Sequence, residues 1–158
     1  MQLRIGSGFD FHQLEKSIPL IIGGVSIPFA KGSKGHSDGD VLFHAVVDAI
    51  LGALSLGDIG KYFPSNDPKW KDANSRQFLE YVRQLIEEKG YSIANIDATI
   101  ILEHPVLKPH IINMRNNTAF ALSIDLDQVS IKSTTTDKLG FIGKSEGIAA
   151  TASVLLRK

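Results

Sequence analysis

Apolar residues recur at odd positions near the start of the chain: Leu3, Ile5, Phe9 and Phe11. This period of two predicts a strand over Leu3–Phe11, with the two Phe rings as its core anchors. Pro19–Phe29 (PLIIGGVSIPF) holds two apolar runs around Gly23-Gly24, the signature of a tight hairpin. Lys31–Asp40 reads as a loop. From Val41 the period changes: Val41, Leu42, Ala45, Val46, Ala49, Ile50, Ala53 and Leu54 form one helical face, with Ser37 as its N-cap and Asp40 three residues on. A second helix over Ser75–Lys89 gathers Phe78, Leu79, Val82, Leu85 and Ile86 and stops at Gly90; a third spans Pro109–Leu122. Strands follow from Ile93–Leu102, Val129–Thr135 and Ile148–Leu156, and loops from Gly57–Pro68 and Asp137–Gly147. Helices and strands mix without strict alternation. The pattern predicts an α+β fold in a single domain, residues 1–158, with one mixed β-sheet and helices packed on one face.

Composition narrows the partners. Lys+Arg and Asp+Glu both number 17, so no net charge draws the chain to nucleic acid or an anionic membrane. There is no cysteine, which rules out disulfides and thiolate metal sites. No apolar run approaches a membrane span, and the N-terminal residues lack a leader's apolar segment, so a cytoplasmic location is expected.

Four polar groupings carry the candidate chemistry. In GFDFH (Gly8–His12), Asp10 and His12 share one side of the strand. Zinc accepts both ligand types; the plainer reading is an ion pair at a strand end. Asp40, His44 and Asp48 are spaced by four along the first helix, which puts His44 in reach of a strand as a third ligand. Asp48 is then placed to accept a hydrogen bond from a ligating imidazole; a polar helix boundary explains the same spacing. GHSDGD sets His36 and Ser37 beside a helix N-terminus, where backbone N–H groups suit phosphate oxygens, although Ser37 serves equally as a cap. KSTTTDKLGF ends a strand with Thr134, Thr135, Thr136 and Asp137, suited to a diphosphate and a divalent ion, or to no ligand at all.

Taken in order, GFDFH, IIGG, KGSKGHSDGDVLFHAVVDAILGAL, GDIGKYFP, KSTTTDKLGF and GKSEGIAATA resemble the 2-C-methyl-D-erythritol 2,4-cyclodiphosphate synthase family over essentially the whole chain. The resemblance implies a lyase of the non-mevalonate isoprenoid pathway. Its substrate is 4-diphosphocytidyl-2-C-methyl-D-erythritol 2-phosphate; the 2-phosphate attacks the β-phosphorus and CMP leaves. It implies a homotrimer with sites between subunits, Zn²⁺ or another divalent transition metal on Asp10, His12 and His44, and Mg²⁺ or Mn²⁺ on the diphosphate with Asp137 as ligand. His36 and Thr135 become the transition-state stabilisers, and Asp10, His12, His36 and Ser37 contact substrate. Asp58, Ile59 and Gly60, with Phe63 and Asp67 close by, match the methylerythritol segment. Leu102, Pro105, Lys108 and Thr134 to Asp137 match the cytidine pocket of a neighbouring subunit; Phe141 and Lys144 complete the set. In some members the position of Lys144 meets an isoprenoid diphosphate in a central cavity of the trimer. The chain departs from the pattern at Ser65, where an acid is common, at Asp137 (Glu), at Val106 (Lys) and at Lys144 (Arg). Two other readings use the same residues: a zinc phosphohydrolase with Asp48 as base, and a trimeric nucleotide- or isoprenoid-diphosphate-binding protein whose metal is structural.

Overall fold

The computed structural model describes residues 1–158, and the alternating N-terminal pattern becomes its longest strand, β1, Leu3–Lys16. The Gly23-Gly24 hairpin forms as expected. Both glycines take positive φ, joining β2 (Leu20–Ile22) to β3 (Val25–Ile27). A short strand, β4 (Lys31–Ser33), lies inside the segment read as loop. Helix α1 is Val41–Ala53, α2 Ile59–Tyr62 and α3 Arg76–Glu88. Then come β5 (Ser92–Ile101), α4 (Ile111–Leu122), β6 (Val129–Thr134), α5 (Gly140–Gly143) and β7 (Gly147–Arg157). The main sheet runs β4-β1-β7-β5-β6, with β5 and β6 parallel and the other pairs antiparallel. A five-stranded mixed sheet with helices on one face, beside the separate two-stranded β2–β3 hairpin, is therefore the architecture. No helix is long and apolar enough to cross a membrane.

Two expectations fail for physical reasons. The face of β1 that meets α1 is not the Phe face. It is the face of Gly6 and Gly8, where an added Cβ would lie 1.9 Å from the carbonyl oxygens of Ala49 and Ala45. Without side chains at these two positions the α1 backbone lies directly on the strand. Phe9 and Phe11 consequently stand on the helix-free side, 57% and 61% exposed, beside Leu3 and Ile5. Asp10 and His12 follow Gly6 and Gly8 along the helix-facing side, so both point toward α1.

The N-cap of α1 is Asp40, not Ser37. Its carboxylate accepts from Phe43 N at 3.1 Å, Gly23 N at 2.9 Å and Gly24 N at 2.7 Å. The β2–β3 turn is thereby tied to the start of the helix. Complete burial pushes the Asp40 carboxyl up to about 6, against the pull of these three donors.

Candidate active site

β1 and α1 bring Asp10, His12 and His44 together, with one ligand-competent atom from each within 4.8 Å of the others. His12 Nε2 lies 2.8 Å and His44 Nδ1 3.1 Å from Asp10 Oδ2, and the two imidazole nitrogens are 3.3 Å apart. Hydrogen-bond direction assigns the rings. His12 Nδ1 is 3.1 Å from the carbonyl oxygen of Lys34, which can only accept, so Nδ1 carries a proton and Nε2 faces Asp10. His44 Nε2 points away from the cluster, 2.8 Å from Ser75 Oγ and 3.1 Å from Ser37 Oγ. One nitrogen of each ring is thus turned on the same carboxylate oxygen. This donor set, one carboxylate and two imidazoles, fits a divalent transition metal with a position left for a ligand.

The electrostatics agree with this geometry. Burial pushes the Asp10 carboxyl up, but hydrogen bonds and charge from His12 and His44 prevail and hold it at about 2. Burial also opposes charge on His12; its bond to Asp10 prevails and raises its pKa above the ordinary value. Asp10 is therefore a ready anionic ligand at neutral pH, while the raised His12 pKa means that protons compete with a metal for that ring.

The cluster opens on a cleft of about 280 Å³ lined by His12, His36, Ser37, His44, Ile59, Gly60, Phe63, Ser65, Trp70 and Phe78. Phe63 stacks on Phe78 with centroids 4.2 Å apart, and Trp70 meets both rings edge-on. This aromatic wall gives the cleft a dry side opposite its polar one. His36 Nε2 donates to the Asp67 carbonyl at 3.0 Å, which anchors the ring across the mouth. Asp58 caps α2 through Lys61 N, and Asp67 holds Lys69 N.

Asp48 does not touch an imidazole. Its Oδ1 accepts from Ile59 N at 2.9 Å and so fastens the Asp58–Gly60 segment to α1. Burial raises the Asp48 pKa, and the Ile59 amide opposes that rise. The contact expected of Asp48 is made by Ser75, a residue whose sequence signature is only that of a helix start.

The remaining site residues lie elsewhere. Leu102, Pro105, Lys108, Thr134 and Thr135 line a separate pocket of about 130 Å³, together with Val106 and Ser133. Thr135 and Asp137 meet each other, Oγ1 to Oδ1, at 3.3 Å. Thr136 N and Lys138 N both donate to Glu103. Phe141 lines a third cavity, about 590 Å³, with Phe11, His12, Gln13, Leu14, Lys31 and Glu146; Lys144 is exposed at the end of α5. The metal-competent cleft and the Thr135 pocket share no lining residue within one chain.

Fold and site together define an α+β protein with a carboxylate–imidazole metal cluster at the mouth of a part-aromatic cleft. The family model described as the YgbB family matches residues 3–157. A Bacillus velezensis 2-C-methyl-D-erythritol 2,4-cyclodiphosphate synthase is 56% identical over 155 residues, covering 98% of both chains. A solved Plasmodium falciparum IspF in complex with CDP superposes with a TM-score of 0.86 at 39% identity, over 98% of this chain and 95% of that one. The bifunctional IspDF of Campylobacter jejuni aligns with a TM-score of 0.89 at 42% identity, over 98% of this chain and 42% of its own. The chain belongs to the YgbB family, the family of the 2-C-methyl-D-erythritol 2,4-cyclodiphosphate synthases.

Proposed function

We propose that this protein is a metal-dependent cyclodiphosphate synthase acting in the cytoplasm. It converts 4-diphosphocytidyl-2-C-methyl-D-erythritol 2-phosphate into 2-C-methyl-D-erythritol 2,4-cyclodiphosphate and CMP. The carrying observation is the convergence of Asp10, His12 and His44 on a cleft that also presents His36 and Ser37. An oxygen of the substrate's own 2-phosphate forms the new bond to the β-phosphorus, and the bond from that phosphorus to the CMP oxygen breaks. No protein nucleophile is needed, so the protein's task is to align two anionic groups and neutralise their charge. His36 and Ser37 hold phosphate oxygens from one side, and Thr135 of a neighbouring subunit donates to the phosphoryl group in flight. Asp58 and the backbone of Ile59 and Gly60 orient the methylerythritol diol, and Phe63 and Asp67 close that end. Backbone and side chains over Leu102–Lys108 and Thr134–Asp137 bind the cytidine. Zn²⁺ on Asp10, His12 and His44, and Mg²⁺ or Mn²⁺ near Asp137, supply positive charge to the phosphate oxygens when bound.

A homotrimer is part of this reading. It is supported by the division of the two half-sites within one chain and by the uncovered apolar sheet face around Phe9 and Phe11. Lys144 is proposed to face the trimer axis, where an isoprenoid diphosphate would meet its charge. The hydrolytic alternative is disfavoured by Asp48, its one candidate base, which spends Oδ1 on the Ile59 amide.

³¹P NMR of the protein with the cytidyl substrate and magnesium tests the reaction. Two coupled cyclic-diphosphate resonances and CMP are expected, with no inorganic phosphate and with loss of turnover on strong chelation. Open-chain phosphate products would overturn the reading.

Metal uptake carries its own pH signature. The proton that Asp10 stabilises on His12 must leave before the ring can ligate. Zinc affinity should therefore rise by about tenfold per pH unit below the raised His12 pKa and flatten above it. Zinc titrations across that range read the slope; a flat profile would remove His12 from the ligand set.

A further inference from the structure

Ser75 is completely buried at the start of α3, yet its side chain makes no bond to its own helix. Its hydroxyl instead stands between two close partners, with Ser37 Oγ farther off at 3.5 Å. On one side is His44 Nε2 at 2.8 Å; on the other is Asp38 Oδ1, in a short hydrogen bond. Asp38 is committed as an acceptor. Its Oδ2 takes Ser75 N at 2.9 Å and its Oδ1 also takes Asp40 N at 3.2 Å.

The direction of this chain follows from a count of protons. A hydroxyl has one hydrogen to give. Asp38 takes it, so Ser75 Oγ meets His44 with a lone pair; this, the shorter of the two hydroxyl contacts at Nε2, calls for an N–H there, and Ser37 Oγ at 3.1 Å can accept from the same N–H. Nδ1 faces Asp10 at 3.1 Å, where any proton it carries is shared with that carboxylate; when that proton leaves, Nε2 keeps its own and the Nδ1 lone pair is free for a metal. We propose that Ser75, oriented by Asp38, is a positioning residue for His44. It holds the ring in the Nε2–H tautomer and aims the Nδ1 lone pair at the metal position.

A second consequence is mechanical. Asp38 adjoins Ser37, and its carboxylate grips the start of α3 as well as the entry to α1. The substrate-facing pair His36 and Ser37 and the ligand His44 are thus braced by one carboxylate. The plainer account of Ser75, a helix cap that happens to touch a histidine, predicts no preference between tautomers.

This proposal rests on the metal-site half of the proposed function and on no part of the reaction. Its test accordingly begins without metal or substrate. ¹⁵N NMR of the imidazoles in metal-free full-length protein, at a pH where the His44 titration shows the ring neutral, should show the Nε2–H tautomer. Ser75→Ala should give a mixture of tautomers and weaken zinc binding by about 10- to 100-fold, the range typical of lost partners behind a metal ligand. Ser75→Thr, which keeps the hydroxyl, should restore both. An Nδ1–H tautomer in the unsubstituted protein would overturn the proposal whatever the variants do. So would a Ser75→Ala protein with unchanged tautomer and zinc affinity. Failure of cyclisation with the tautomer intact would instead fall on the reaction, not on Ser75.

Discussion

His44→Ala should emerge from purification without stoichiometric metal and with turnover lowered by at least about 10³-fold. His44 is one of only three side chains that converge on the cluster, and it is the one contributed by the helix. The two that remain, Asp10 and His12, sit two residues apart on one strand and offer a bidentate edge rather than a pocket. Two ligands hold a divalent ion far less tightly than three. The charge balance changes as well. Asp10 is held at about 2 partly by His44, so its carboxyl should rise when the ring is removed. Proton competition at the site then increases when affinity is already low. The substitution also empties space beside Phe78, whose ring stacks on His44 with centroids 5.8 Å apart. His44→Gln separates the effects: it refills most of that volume and offers an amide to Ser75, yet removes the imidazole. Elemental analysis and turnover on both variants decide the matter. Stoichiometric zinc in His44→Gln or His44→Ala would take His44 out of the ligand set.

The site was legible in the sequence to the extent that chemistry is local. Asp10 and His12 alternate in a strand, so their shared face followed from period alone. His44 lies one helical turn beyond Asp40, and Asp40 marks the true start of α1. The Gly23-Gly24 hairpin was equally plain, because few residue pairs accept positive φ twice in succession. What misled was the assumption that the larger side chains of an alternating strand face the core. Here the core side is built from Gly6 and Gly8, because a helix backbone lies against them. A glycine reads as an absence in a hydrophobicity pattern, so the inversion leaves no periodic trace. The same geometry explains why Asp10 and His12 reach His44 at all: the strand side that α1 approaches is their side. Ser75 makes a site contact that its place at a helix start did not announce, and Asp48 takes a partner other than the expected imidazole, for a different reason. Their contacts run to partners 31 and 11 residues away and depend on loop paths that no local pattern encodes.

Mixed trimers should regain activity that neither parent has. The proposed site draws its metal half (Asp10, His12, His44 and His36) from one subunit and its cytidine half (Lys108, Thr134, Thr135 and Asp137) from the next. Within a single chain these halves line different pockets with no residue in common. The helix-free sheet face, with Leu3, Ile5, Phe9 and Phe11 all at least half exposed, is the apolar surface that assembly would cover. Thr135→Ala is expected to lower turnover more than substrate affinity, because its hydroxyl is assigned to the phosphoryl group in transit. A Thr135→Ala subunit still carries an intact metal half, and a His44→Ala subunit an intact cytidine half. When the two are co-expressed with different tags and assort at random, a complete site needs the first kind on one side of an interface and the second on the other. Every mixed trimer has one such interface of its three, so roughly a third of the interfaces in the doubly tagged population should be fully competent. Turnover of the doubly tagged population, set against each parent homotrimer, reads this directly, since both parents start below the unsubstituted protein. Activity no higher than the parents' would mean that both halves belong to one chain. The separation of the two pockets would then have to be closed by a movement of the Thr134–Asp137 turn, which Glu103 now pins through the amides of Thr136 and Lys138.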